Sequence, residues 1–233
     1  MKSKILKMIC GLALGSLVLS GCLKDNDGVT EYPVAGLYLY NAYTGSSGLA
    51  VRLGQNVVRD VYNPLVYKNA AYVNAYSGNR NLIFYTNSNN SLVDTTVTLQ
   101  QGVYYTAYAY GVEDSPKLVM TKDVTIEELG ENASAVRFFN LAAGTGAVSL
   151  TIGDEDSPSF VNRPTETQES TTANEAFEAT MGGNYVLQVS NAAGETIARR
   201  EGVTLANGKY YSIILVGISG DTNMPLNIEV MSY

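Results

Sequence analysis

The chain has 233 residues, of which 45% are hydrophobic and 16% charged, and its formal net charge is −7. This composition is typical of a folded protein with one large or two small domains. Histidine and tryptophan are absent and the two cysteines are Cys10 and Cys22, which excludes a Ser-His-Asp triad, an imidazole general base and a His/Cys zinc site.

The amino terminus has the pattern of a secretory signal. Lys2, Lys4 and Lys7 form a positive region, and an apolar stretch follows over residues 8–19. This stretch of about a dozen residues is too short to cross a bilayer of roughly 30 Å as a helix. We therefore expect it to direct export rather than to span the membrane.

The apolar stretch ends in Leu19, Ser20, Gly21 and Cys22. These four residues resemble the lipobox of bacterial lipoproteins, in which small residues precede a cysteine that is lipidated and becomes the first residue of the mature chain. The resemblance implies a lipoprotein signal peptide over residues 1–21 and a membrane partner reached through lipid on Cys22. The alternative is an ordinary signal peptide with a chance cysteine.

The residues after the lipobox form a short polar segment. Residues 22–33 are predicted to be a flexible acidic tether, in which Lys24, Asp25 and Asp27 resemble the export signal that sends lipoproteins of Bacteroidota to the outer face of the outer membrane. The resemblance implies an outer-membrane protein that is lipid-anchored and exposed on the surface. A plain solvated tether, and a protein that faces the periplasm, are the alternatives.

The charge of the mature chain limits its partners. The precursor has 15 basic and 22 acidic side chains, and removal of the signal takes three lysines and no acid. An acidic surface is repelled by phosphate backbones, so nucleic acid is excluded as a partner. Because Cys10 leaves with the signal and Cys22 carries lipid, we expect no disulfide.

Two segments of the chain recur in the same order. Residues 36–42 are matched by residues 135–141, and each segment leads into a glycine-rich turn. Further on, residues 97–105 are matched by residues 203–211. Two matches in one order indicate a duplication.

The duplication predicts two domains. Repeat 1 covers residues 34–124, a linker covers residues 125–133, and repeat 2 covers residues 134–233. Because the spacing between matched segments grows along the chain, repeat 2 contains an insertion, which we place in the polar residues 154–174.

Each repeat alternates short runs rich in Val, Tyr, Ile and Thr with clusters of Gly, Asn, Ser and Asp, a pattern typical of an all-β domain. The predicted strands cover residues 36–42, 49–53, 71–76, 81–85, 92–99, 104–111 and 117–121 in repeat 1, and 135–141, 147–152, 176–180, 184–190, 196–205, 209–216 and 226–231 in repeat 2. About seven strands in about 100 residues favour two tandem immunoglobulin-like β-sandwiches. A helix is predicted only over residues 125–132, where Thr125 could cap it.

Strand parity predicts which residues form the core, because successive side chains of a strand point to opposite faces. In the first strand of repeat 2, Val136 and Phe138 should face the core and Arg137 should point outward. Tyr38 occupies the matching outward position in repeat 1. Residues 210–216 are apolar on both faces, which predicts burial on both sides.

Three motifs resemble domain-of-unknown-function family 4397. They are an apolar strand that ends in Asn140, a mid-repeat segment that ends in Gly78, and a late Leu-x-x-Gly-x-Tyr-Tyr-Thr/Ser motif at residues 99–106 and 205–212. Such domains occur singly or in tandem in bacterial surface lipoproteins, are expected to be β-sandwiches, and have no assigned catalytic residues. The resemblance therefore supports location and fold and implies no chemistry.

Tyrosine is in excess, with 17 residues. Exposed tyrosines offer amphipathic area for stacking on sugar rings or for packing on a protein. The candidate binding surface comprises Tyr38, Tyr43, Tyr62, Tyr67 and Tyr76. The alternative is that tyrosines fill and edge a core without tryptophan.

A second group of tyrosines is predicted to be internal. Tyr104, Tyr108 and Tyr110 share a strand face, and their counterparts in repeat 2 are Tyr210 followed by aliphatic residues. An aliphatic counterpart favours an inward position.

The acidic residues do not identify a reaction. Residues 154–156, with Glu166 and Glu169, could gather oxygens around Ca²⁺, but the twelve-residue loop pattern is missing and an acidic solvated loop is favoured. Paired carboxylates could hydrolyse a glycoside, yet no pair can be identified. We predict no catalytic residue, no metal site, no cofactor and no enzymatic activity.

The sequence thus predicts a non-enzymatic, lipid-anchored envelope protein that presents two β-sandwiches for protein or matrix contacts. The alternative is a glycan- or nutrient-binding accessory lipoprotein that uses exposed tyrosines of repeat 1. Its predicted partners are the membrane, through Cys22, and an envelope protein or a glycan.

Overall fold

The computed structural model describes residues 32–86, 91–153 and 157–233, within which the chain forms 17 strands and one short helix. Cys22, Lys24, Asp25 and Asp27 lie outside the described residues. The first half contains β1 (Val34–Tyr43), β2 (Gly48–Leu53), β3 (Asn56–Arg59), β4 (Leu65–Val66), β5 (Ala70–Tyr76), β6 (Gly78–Tyr85), β7 (Ser91–Leu99), β8 (Tyr104–Val112) and β9 (Ser115–Lys122). The second half contains β10 (Ala133–Asn140), β11 (Val148–Ile152), β12 (Phe160–Arg163), α1 (Gln168–Ala173), β13 (Glu178–Met181), β14 (Gly183–Asn191), β15 (Thr196–Leu205), β16 (Tyr210–Val216) and β17 (Asn227–Ser232).

The two halves have the same strand order. In the first, one sheet runs β5-β1-β8-β9 and the other β3-β2-β6-β7, with β4 paired to β2. In the second, the corresponding sheets run β13-β10-β16-β17 and β12-β11-β14-β15. The first strand of each half pairs in parallel with the strand after the late tyrosine motif, β1 with β8 and β10 with β16. The prediction of an all-β sandwich fold is confirmed.

Each half buries the facing sides of its two sheets. In the first half, Leu37 and Leu39 of β1 pack in one apolar cluster with Leu82 and Phe84 of β6. In the second, Phe138 of β10 belongs to a cluster that also contains residues of β11, β14 and β15. The inward assignment made from strand parity is therefore correct for these positions.

A third apolar cluster, the inter-half cluster, joins the two halves. It contains Tyr40, Tyr108 and Tyr110 from the first half and Phe139, Leu141, Ile214, Val216 and Met231 from the second, together with Ala42 and Val119. Because Ile213 and Leu215 belong to the core of the second half, β16 is buried on both faces, as predicted. The strands β1, β8, β10 and β16 thus have a core on either side.

The late tyrosine motif has a structural role in both halves. The hydroxyl of Tyr105 accepts a hydrogen bond from the Gln100 N–H at 3.2 Å, and the hydroxyl of Tyr211 accepts one from the Ala206 N–H at 2.8 Å. The glycines of the motif, Gly102 and its counterpart in the second half, have φ of 73° and 72°, a conformation that favours glycine. The motif therefore fixes the turn that precedes the parallel strand.

The asparagine at the end of the first strand is also buried in both halves. The Asn41 side chain donates to the Leu65 carbonyl at 2.8 Å, and the Asn140 side chain donates to the Arg163 carbonyl at 3.2 Å. Each asparagine oxygen accepts a backbone N–H two residues later. These residues satisfy buried backbone groups where the strand ends.

The predicted helix over residues 125–132 is wrong. In this segment the N–H and carbonyl of Ile126 both bond to the Tyr210 hydroxyl, at 3.0 and 3.2 Å, so a side chain takes the place of helical partners. The helix lies instead at α1, where Thr167 and Ser170 form a capping box. The short strands β3, β4 and β12 were not predicted.

Candidate binding site at the junction of the halves

The tyrosines predicted as one binding surface are dispersed. Tyr62 is 94% exposed and Tyr76 about half exposed, whereas Tyr43 is buried and donates its hydroxyl to the Glu113 carbonyl at 3.1 Å. Tyr67 is half-buried against the inter-half cluster. The prediction that Tyr43 belongs to an exposed binding surface is therefore wrong, because its side chain packs in the core of the first half. Tyr38 lies in the pocket described below.

Arg137 is the largest departure from the predicted pattern. It was expected to point outward, but it is completely buried, because the outer face of β10 packs on the first half. Its Nε donates to Ser212 Oγ at 2.8 Å, and its Nη1 donates to the carbonyls of Lys122 and Glu175 at 3.1 Å each. Its guanidinium thus connects β10 to the end of β9 and to the loop before β13.

The remaining nitrogen of Arg137 binds a carboxylate and two phenols. Nη2 lies 2.5 Å from Asp123 Oδ1, 2.6 Å from the Tyr233 hydroxyl and 3.5 Å from the Tyr108 hydroxyl. Burial alone would lower the pKa of Arg137, but Tyr108, Tyr233 and Asp123 raise it above its ordinary value. The guanidinium is therefore charged. We call Arg137, Asp123, Ser212, Tyr108 and Tyr233 the junction network.

Asp123 neutralises this buried charge. Burial raises the pKa of its carboxyl above the ordinary value, and the charge and hydrogen bond of Arg137 oppose that rise only in part. Thr106 donates to Oδ2 at 2.8 Å, and Thr121 donates to Oδ1 at 3.3 Å. A buried ion pair persists when further hydrogen bonds satisfy its oxygens and nitrogens, which is the arrangement seen here.

Aromatic rings surround the guanidinium. Its central carbon lies 4.3 Å from the ring centroid of Phe177, 5.2 Å from that of Phe139 and 5.4 Å from that of Tyr233. These distances are within the range of cation–π attraction. Phe177 in turn meets Tyr210 edge to face, with centroids 5.1 Å apart.

A pocket of about 260 Å³ opens beside this network, and we call it the junction pocket. Its lining comprises Tyr38, Tyr104, Asp123, Thr125, Phe177, Tyr210 and Tyr233. Tyr38 and Tyr104 come from the first half, and the last three aromatic residues come from the second. Asp123 and Thr125 belong to the connection between the halves. Neither half alone supplies this lining.

The first-half wall of the pocket is an aromatic platform. Tyr38 contacts Tyr72 with centroids 4.9 Å apart and Tyr233 with centroids 5.2 Å apart. Tyr104 is 52% exposed, so its predicted inward position is wrong, whereas Tyr108 and Tyr110 on the same strand face are buried as predicted. The Tyr104 ring rests on Gly36, where an added Cβ would overlap the ring.

Of the acidic residues considered for a metal site, residues 154–156 lie outside the described part of the chain, and Glu166 and Glu169 do not converge. Glu166 is buried and accepts hydrogen bonds from Ser170 and Thr171, while Glu169 is exposed on α1. Within residues 32–86, 91–153 and 157–233, no three His, Cys, Asp or Glu side chains lie close enough to hold an ion. In the same ranges, no helix is both long and apolar enough to cross a bilayer.

The family model described as Domain of unknown function (DUF4397) matches residues 35–151. The chain belongs to this family. The DUF4397 match begins in β1 and ends in β11, so it covers the first half and the first two strands of the second. No curated protein matches the chain in sequence.

This DUF4397 chain is similar to several solved structures. One is CBMbc (family CBM26) from Eubacterium rectale in complex with maltoheptaose, with 11% identity and a TM-score of 0.26 over 85% of this chain and 96% of that one. Another is a streptococcal virulence factor that binds alpha-glucan, with 11% identity and a TM-score of 0.24 over 83% of this chain and 97% of that one. A third is a DUF3823 family protein from Bacteroides ovatus, with 12% identity and a TM-score of 0.20 over 75% of this chain and 99% of that one.

The hydroxyls of Tyr108 and Tyr40 provide a matched pair of substitutions. Tyr108 donates to Ser212 Oγ at 3.1 Å, whereas the Tyr40 hydroxyl is buried without a hydrogen-bond partner among the described residues. We expect Tyr108→Phe to lower the free energy of unfolding by about 1–3 kcal/mol and Tyr40→Phe to leave it unchanged or raise it. Urea unfolding of both variants measures this, and an equal loss in both would contradict the assigned contacts.

Proposed function

We propose that the protein is a non-enzymatic, lipid-anchored protein of the bacterial cell envelope that binds a ligand in the junction pocket. The observation that carries this proposal is a concave, ring-lined pocket held in shape by a buried ion pair. Concave, mostly apolar sites with a few polar groups are typical of ligand binding. The location rests on the amino-terminal pattern that ends at Cys22.

The absence of catalysis is part of the proposal. Asp123 is the acid that lines the pocket, and its carboxylate is paired with Arg137. A general acid gives a proton to the substrate and a general base takes one from it, and the pKa of either group should lie near the operating pH. Burial raises the pKa of Asp123, but Arg137, Thr121 and Thr106 already donate hydrogen bonds to its carboxylate, and we propose that it transfers no proton.

The two-domain organisation is likewise proposed, with residues 34–124 and 134–233 as duplicated domains after a tether over residues 22–33. The repeated strand order, the paired Asn41 and Asn140, and the repeated tyrosine motif support it. Contact with an envelope protein is a second candidate function, which the almost fully exposed ring of Tyr62 favours. A surface-exposed position on the outer membrane fits either function.

Replacing Cys22 by serine tests the anchor. We expect Cys22→Ser to move the protein from the membrane fraction to the soluble fraction, because the thioether to the lipid cannot form. Fractionation of cells labelled with a radioactive fatty acid measures both location and lipid. Cys10→Ser is the matched control and should remain labelled and membrane-bound. A Cys22→Ser protein that stays in the membrane fraction would contradict the anchor.

A further inference from the structure

We propose that the junction pocket binds one uncharged sugar ring of a glycan, an inference that rests on this pocket being the binding site of the proposed function. The glycan class follows from the size of the pocket, the faces of its rings, its charge and its free hydroxyls.

The size of the pocket fits a single ring. Its volume is about 260 Å³, whereas sites for drug-sized ligands occupy roughly 300–1,000 Å³. The pocket is also open to solvent, since Tyr104, which lines it, is about half exposed. A ring can therefore enter while the rest of a longer chain remains in solvent.

The walls of the pocket suit the apolar face of a pyranose. Five of the seven lining residues are aromatic, and the Tyr104 ring is held on Gly36 with about half of its surface open. The C–H groups on one face of a sugar ring pack against such a π-surface, and tyrosine loses little rotamer freedom when it does so. A stacked ring would cover area that is now exposed.

The charge of the pocket disfavours ionic ligands. The carboxylate of Asp123 and the guanidinium of Arg137 neutralise each other, and Nε, Nη1 and Nη2 of Arg137 all donate to protein acceptors. An anion would find no free cation there. A quaternary ammonium ligand would share the rings of Phe177 and Tyr233 with a guanidinium that already lies on them.

The polar groups of the pocket match sugar hydroxyls. The hydroxyls of Tyr38, Tyr104 and Thr125 form no hydrogen bond within the described part of the chain, and all three residues line the pocket. Asp123 Oδ2 accepts a bond from Thr106 and has a second lone pair. These groups offer hydrogen-bond donors and acceptors to the hydroxyls at the edge of a bound sugar ring.

The test uses the purified Cys22→Ser protein, which has no lipid. It is first screened on an array of neutral, acidic and amino oligosaccharides, and the affinity of the best neutral ligand is then measured by isothermal titration calorimetry. We expect Tyr104→Ala to weaken binding about tenfold or more. Tyr104→Phe should retain most of the affinity. Tyr62→Ala removes an exposed ring outside the pocket and should bind normally.

The outcomes separate the inference from the proposed function. Absence of binding to any neutral glycan, or equal binding by Tyr104→Ala and the parent protein with native circular dichroism, overturns the sugar assignment. Loss of an envelope-protein contact on Tyr104→Ala, without glycan binding, also overturns it but leaves the pocket as a binding site. Comparing a free disaccharide with the corresponding polysaccharide distinguishes a soluble nutrient from a surface polymer, and both would support the inference.

Discussion

Replacing Arg137 by alanine should lower the free energy of unfolding by about 3–5 kcal/mol, because removal of one partner leaves the buried charge of Asp123 uncompensated. The substitution also leaves the carbonyls of Lys122 and Glu175 without the donor that they have now. Urea unfolding of the Cys22→Ser protein, followed by circular dichroism, measures the loss.

A surface ion pair provides the control for this experiment. Arg199 pairs with Glu201 at 3.0 Å, and both side chains are at least half exposed. Exposed pairs contribute about 0–1 kcal/mol, so Arg199→Ala should have little effect. If Arg137→Ala cost no more than Arg199→Ala, the junction network would not stabilise the fold as described.

Alanine at Gly111 or Gly217 should each lower the free energy of unfolding by about 3 kcal/mol or more. Gly111 is the next-to-last residue of β8 and Gly217 directly follows β16. Their φ angles are 102° and 104°, where an L-residue is strained by about 1–3 kcal/mol. An added Cβ would also overlap the carbonyl oxygen of Ser115 in the first half and of Pro225 in the second. Backbone atoms cannot move aside as a flexible side chain can.

Gly220→Ala is the matched control for both glycines. Gly220 has φ of 77°, but a Cβ there would meet nothing within 4 Å, so we expect the strain alone, about 1–2 kcal/mol. Thermal and urea unfolding of the three variants give the comparison. A loss at Gly111 or Gly217 as small as that at Gly220 would show that the backbone relaxes, contrary to the packing described here.

The fold was largely predictable from the sequence because its strands alternate in hydrophobicity. The predicted segment 196–205 has the same bounds as β15, and the segment 92–99 begins one residue after the start of β7. Residues 125–132 were wrongly predicted to be helical. The hydroxyl of a distant residue, Tyr210, forms the hydrogen bonds of the Ile126 N–H and carbonyl. The two-residue strand β4 and the four-residue strands β3 and β12 are too short for a periodic signal.

The binding site was much less predictable. Strand parity assumes that a strand has one buried and one exposed face. Because β10 has a core on each side, Arg137 is buried although its position was predicted to face outward. Asp123, Phe177 and Tyr233 are far apart in sequence, and no local pattern joins them. One signal was available: Tyr104 and Tyr210 are matched between the repeats, and both line the junction pocket.

The junction pocket takes its lining from both halves of the fold. Tyr104 and Tyr210 occupy equivalent positions beside β1 and β10, and both line the junction pocket. The inter-half cluster and the junction network join the two halves that supply this lining. We therefore expect substitutions in the network to weaken ligand binding as well as stability.

A crystal structure of the Cys22→Ser protein with the best neutral oligosaccharide tests the central claim most directly. The account predicts density for one sugar ring against Tyr104 and Tyr38, with Arg137 still bonded to Asp123 beneath it. Density for the ligand elsewhere on the protein, or halves separated so that the residues of the junction pocket no longer meet, would contradict it.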